Sequence, residues 1–185
     1  MSEYQYYEFQ AIDRPLDERA MAALRGITSR ATITPTSLVN VYHWGDFKGD
    51  PDRLMDQSFD AHLYVANWGT HRLMLRLPAR SFPPASAKPY AVPDVLNVRA
   101  TKEHVVLDFH ADSEDGDEDF EEGEGWLASL IPLRSDLLAG DLRCLYLGWL
   151  AGVQSEEVGE EELEPPVPPG LRQLSAPLRR FADFL

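Results

Sequence analysis

His62-Leu63-Tyr64-Val65-Ala66, then Asn67-Trp68-Gly69-Thr70, then His71-Arg72-Leu73-Met74-Leu75-Arg76-Leu77: this uninterrupted run decides the fold class. Its first part is rich in β-branched and aromatic residues. In its last part Leu73, Leu75 and Leu77 alternate with Arg72, Met74 and Arg76, the period of a half-buried strand. Asn-Trp-Gly-Thr between them is turn chemistry, so the run reads as a hairpin and the sheet as antiparallel.

On the N-terminal side, residues 4–12 place Tyr7, Phe9 and Ala11 on one face and Tyr4 and Tyr6 on the other, a strand with both faces at least partly covered. Pro15 opens a helix that carries Leu16, Ala20, Ala23 and Leu24 and is expected to stop at Gly26. Residues 30–34 and 37–44 read as extended chain broken at Pro35. A glycine-punctuated loop, 44–51, ends in Asp50, a natural cap for a short helix at 51–58.

On the C-terminal side, the proline-rich stretch 78–93 reads as a loop, and 95–100 and 104–110 as a second hairpin turning at Thr101-Lys102-Glu103. Residues 125–151 form a helical region divided by Pro132 and Gly140 and apolar enough to be buried. These elements predict an α+β fold, a mainly antiparallel sheet with helices packed on one face, for which a ferredoxin-like core is the simplest pattern. The expected organisation is a domain over 1–154, an acidic and Pro-rich linker over 155–170, and an amphipathic helix over 171–185.

The net charge of −14 is local. Residues 112–124 hold nine acids and residues 155–164 six, neither with a base; the remaining 16 acids face 17 Lys and Arg. The remainder is near neutral, and the tract 112–124 reads as an exposed acidic loop. A calcium loop fails there. With Gly116 as the turn glycine, the first ligand position falls on Ala111, and a strand, not a helix, precedes it.

Catalytic signatures are missing from the sequence. There is no HExxH, no Gly-x-Ser-x-Gly, no phosphate loop and no Gly-x-Gly-x-x-Gly. The single cysteine, Cys144, sits in an apolar helix as a packing residue and points to a reducing, cytoplasmic setting. No metal or cofactor is implied. The chain lacks a membrane-length apolar run and a basic cluster leading into an apolar stretch at its start. No face of stacked aromatics and bases is visible, so direct nucleic-acid contact is not expected. One grouping could serve acid–base or metal chemistry if the strands pair suitably: His43 with Asp46, Asp60 with His62, and His71 near Asn67.

The final segment carries Leu171, Leu174, Leu178, Phe181, Phe184 and Leu185 at helical spacing behind a stiff Pro-Pro-Val-Pro-Pro-Gly. Such a stripe must be buried, which points to a partner protein or self-association through 171–185, with Leu174, Leu178, Phe181, Phe184 and Leu185 as contact residues. The function expected is a protein-binding or scaffold subunit. A metal-dependent hydrolase or nuclease built on the His/Asp grouping is the first alternative, and a nucleic-acid-associated regulator the second.

Several stretches, taken together, resemble a family of bacterial proteins of unassigned function. They are Tyr6-Tyr7-Glu8-Phe9-Gln10-Ala11-Ile12-Asp13, Thr32-Ile33-Thr34-Pro35-Thr36, Trp44 to Pro51, Ala66-Asn67-Trp68-Gly69-Thr70 and Asp141 to Leu150. The resemblance covers nearly the whole chain and implies a bacterial source and the N-terminal portion of a longer protein. It implies no catalytic residue.

Overall fold

The computed structural model describes residues 3–112, 122–159 and 161–185. The acidic tract, read as an exposed loop, lies outside the described residues between 113 and 121. The first six elements are β1 (Gln5–Gln10), α1 (Glu18–Ile27), β2 (Thr32–Ile33), β3 (Ser37–Tyr42), α2 (Pro51–Gln57) and β4 (Ala61–Ala66). β1 is antiparallel to both β3 and β4, and β2 is antiparallel to β3, giving the order β2-β3-β1-β4. That β-α-β-β-α-β order is the ferredoxin-like, split βαβ arrangement.

Local chemistry sets the helix ends. Asp17 caps α1, its carboxylate accepting the Ala20 N–H at 2.7 Å, and Asp50 caps α2 through the Arg53 N–H at 3.3 Å. α1 does not stop at Gly26. It runs on to Ile27 and ends where the Thr28 N–H meets the Leu24 carbonyl. A helical glycine costs about 1 kcal/mol relative to alanine. A buried anchor offsets that cost, because the Thr28 hydroxyl accepts from Asn40 Nδ2 at 2.8 Å.

The strand order continues as β4-β5-β7-β6, with β5 (Thr70–Pro78), β6 (Leu96–Ala100) and β7 (His104–Asp112), so the seven-stranded sheet is antiparallel as expected. Leu96 lies opposite Phe109 and Ala100 opposite Val105. Thr101 closes that hairpin, its hydroxyl accepting the N–H groups of Glu103 and His104. The proline-rich stretch 78–93 is more ordered than a loop. Prolines at 84 and 89 sit in the first turns of α3 (Pro84–Ala87) and a 3₁₀ turn (Lys88–Tyr90), where a missing N–H is harmless. The helical region resolves into α4 (Trp126–Leu130), α5 (Pro132–Leu138) and α6 (Arg143–Gln154), divided at Pro132 and at Gly140, whose φ is +89°. α7 (Ala176–Phe184) follows.

Contacts divide the chain into two compact units, one of residues 1–74 with 112–127, the other of 75–111 with 128–185. The chain after 154 is expected to divide into an acidic and Pro-rich linker over 155–170 and an amphipathic helix over 171–185; contacts group both with residues 75–111 and 128–154, in the second unit. There the Tyr90 hydroxyl donates to the Pro166 carbonyl at 2.7 Å, and Tyr146 bonds the Glu164 carboxylate at 2.5 Å. Arg143 Nη1 donates to the carbonyls of Gly170 and Gln173. Proline supplies no N–H, but the Pro166 carbonyl still accepts, and with the Glu164, Gly170 and Gln173 oxygens it lets these side chains strap the segment down.

Candidate functional site

Register sorts the first unit's side chains. Gln5, Tyr7 and Phe9 of β1 share a face with Tyr42, Asn40 and Leu38 of β3 and with Ala66, Tyr64 and His62 of β4. This face is unusually polar. Gln5 Oε1 accepts from the hydroxyls of Tyr7 (2.9 Å) and Tyr64 (3.1 Å), while its Nε2 donates to the Gly45 carbonyl (3.0 Å) and Asp46 (3.4 Å). Asn40 Nδ2 donates to Thr28 and to the Tyr42 hydroxyl, each at 2.8 Å. Burial without partners is costly, and these groups have them. The Tyr64 phenol is pushed far up, first by burial and then by Tyr7; the Tyr7 phenol is raised mainly by burial. Neither is a base or nucleophile at neutral pH.

The five His and Asp candidates fall to different places. Register sets His43 level with Tyr4, just before β1, and His62 opposite Phe9, five residues apart, or roughly 17 Å at ~3.4 Å per residue. His43 is exposed, with its ring edge-on to Tyr4 at 5.8 Å. Asp46 is exposed in the loop after β3. His62 is fully buried, stacked on Phe9 at 3.9 Å, with Nδ1 against the Glu8 carbonyl at 2.9 Å. Asp60 is buried too, and its Oδ2 accepts the N–H groups of Ile12 (2.6 Å) and Asp13 (2.8 Å), fixing the chain as it leaves β1. His71 is half-buried beside Trp126 at 6.4 Å. Among the described residues no three His, Cys, Asp or Glu side chains form a group able to hold a metal. The strands pair, but the pairing separates the grouping that the hydrolase alternative needs.

The C-terminal stripe is also placed differently from its expected role. Leu178, Phe181 and Phe184 are buried in their own unit, with Phe181 edge-on to Phe109 at 4.9 Å; Leu174 and Leu185 are half-buried. The apolar demand that called for a partner is met within the chain.

A different surface stands out. The chain passes from Tyr42 into Trp44-Gly45 and from Ala66 into Trp68-Gly69, and Tyr42 and Ala66 both lie opposite Gln5. The two tryptophans therefore emerge at the same end of the first unit's sheet. Trp44 is 65% exposed and Trp68 45%. Each precedes a glycine with φ of +77° or +96°, which lets the chain turn sharply and leaves the ring outside. Gly69 completes a three-residue hairpin loop, its N–H donating to the Ala66 carbonyl at 3.1 Å. Arg30 lays its guanidinium over Trp44, 4.2 Å from the ring centre. Tyr4 fills the end between the two loops, exchanging backbone and side-chain hydrogen bonds with Asn67 at 3.0 and 3.1 Å.

Acids border this aromatic end. Gly123 sits on the Tyr6 ring so closely that a Cβ would lie 2.3 Å from Cδ1. That seat places Glu122 and Glu124 beside Tyr4, whose phenol is raised by burial first and then by these two carboxylates. The sequence reading missed the end as a site. The repeated Trp-Gly pair, each after a strand, was the signal available for it.

Clefts of about 680 Å³ lie at two other places among the described residues. One lies between α1 and α2, where Asp17 and Asp50 are engaged as caps; the other is in the second unit, where Tyr90 and Arg143 already hold the Pro166–Gly170 strap. No helix among the described residues is long and apolar enough to cross a membrane. No family model matches this chain, and no curated protein or solved structure matches it either, so no residue role enters the site from a relative.

Proposed function

We propose that this chain is a protein-recognition module, a binding or scaffold subunit that receives a partner protein at the Trp44–Trp68 end of its first unit. The observation that carries this reading is the exposure of two tryptophans at one end of the first unit's sheet, while the chain's other two, Trp126 and Trp149, are buried. Tryptophan is enriched in interface hot spots because one ring supplies much contact area for few lost rotamers. Tyr4 and His43 extend the same surface. The internal polar network beneath supports it by holding the Gly45–Asp46 loop through Gln5, which makes the end rigid before a partner arrives. Separation of the His and Asp candidates leaves the hydrolase alternative without an assembled site.

The test is the pair W44A and W68A. Exposed positions tolerate such changes within about 0.5 kcal/mol, so the melting temperature should hold. Capture of the partner by the full chain should fall in each single variant and be lost in the double. Undiminished capture by the double variant refutes this surface. If light scattering instead shows a dimer that the double substitution dissociates, the partner is a second copy.

A further inference from the structure

We infer that the partner presents a cationic segment, with arginine as the anchoring side chain, to this aromatic end; the inference rests on the recognition reading above. Guanidinium over an indole face is already built here once, by Arg30 on Trp44 at 4.2 Å. Trp68 offers a comparable exposed ring at the same sheet end. An indole face attracts cations through its quadrupole, and arginine, planar and weakly hydrated, stacks on it better than lysine.

The surrounding charge has the matching sign. Glu122 and Glu124 flank Tyr4 from the Gly123 seat, and Asp46 lies against Gln5 on the opposite loop. All three are acids: Glu122 and Glu124 raise the Tyr4 phenol, and Asp46 adds to the burial that raises those of Tyr7 and Tyr64. The cations in its loops are Arg30 and Lys48, the first occupied by Trp44. The chain's net charge of −14 adds long-range steering of a basic partner and opposes an acidic one. A phosphate backbone meets the same opposition, which ranks nucleic acid below a basic protein segment.

The experiment titrates the full chain with fluorescent octa-arginine, octa-lysine and octa-glutamate peptides at 0.15 M salt. Octa-arginine should bind several-fold more tightly than octa-lysine, and octa-glutamate not measurably. W44A/W68A should weaken octa-arginine binding by about 5- to 30-fold, the loss of two exposed cation–π contacts, while W44F/W68F retains part of it. E122Q/E124Q should weaken it less and flatten its salt dependence. Arg30→Ala should tighten it about two- to five-fold, since it frees an indole face and removes a like charge. Octa-arginine binding that is unchanged in W44A/W68A overturns the inference, because attraction to the acidic tracts then accounts for it; so does equal binding of octa-glutamate. If partner capture depends on Trp44 and Trp68 while octa-arginine binding does not, the cationic partner falls and the recognition surface stands. If neither depends on them, both fall.

Discussion

Gly123 has no positive φ to adopt; it is glycine because the Tyr6 ring occupies the space of a side chain. Gly123→Ala forces ring or loop to move, and overpacking of this kind costs about 1–3 kcal/mol. The expected result is a lower denaturant midpoint with an unchanged slope, and weaker cationic-peptide binding as Glu122 and Glu124 shift. An unchanged midpoint would mean the 122–124 seat is not as described. The tyrosines allow a second test. Burial raises the Tyr6 and Tyr64 phenols well above the ordinary value, with Glu8 and Tyr7 adding to it. Groups raised on folding stabilise fully below their unfolded value, near 10, and the contribution fades as pH climbs beyond it. Absorbance at 295 nm should therefore show tyrosinate from these residues only alongside loss of near-UV circular dichroism. Smooth ionisation of all seven tyrosines in the folded protein would contradict the buried network.

Among the elements, α7 separates what sequence can say from what it cannot. Its spacing and Ser175 cap were legible, and Ser175 does accept the Leu178 N–H. Its address was not, because a stripe states that something must cover it, not what. The covering groups, Phe109 of β7 and the helices α5 and α6, are set by long-range packing. Phe181→Ala should cost about 3–5 kcal/mol, read from chemical denaturation, with the chain still monomeric by light scattering. A small effect, or oligomers in the parent that the substitution dissolves, would restore the partner role of 171–185. Beside α7, Asp141 bonds Arg143, which holds its carboxyl below the usual range. A carboxyl lowered on folding stabilises above its ordinary value near 3.9 and loses that contribution as pH falls below it. Asp141→Asn should therefore cost about 0.5–1 kcal/mol at neutral pH and progressively less as the pH falls below about 4. Alternation and capping likewise disclosed β1, β4, β5 and α2. The end of α1 escaped because Asn40, twelve residues on, anchors Thr28. The polar face of the first unit's sheet escaped too: Gln5, Asn40 and His62 come to share it only through register.

On the scale of the whole molecule, charge and connectivity matter more than any single contact. Composition disclosed that the acidity is concentrated, but not that its C-terminal end, Glu122 to Glu124, is seated against Tyr4 and Tyr6. Connectivity has a practical consequence for locating a partner. The first unit is not continuous in sequence: it takes residues 1–74, yields the chain to 75–111, and reclaims it for 112–127. A bait library built from random fragments would contain no short clone of it. A fragment ending at 74 displays Trp44 and Trp68 but leaves Tyr6 without its glycine cover and the rim without Glu122 and Glu124. A hit from such a fragment would report bare indole rings, and a miss would report nothing about the intact surface. During synthesis the same interleaving means the ribosome must emit thirty-seven residues of the second unit, 75–111, before the first can close. A chain arrested before residue 122 would hold a half-built recognition surface open to chaperones rather than to its partner.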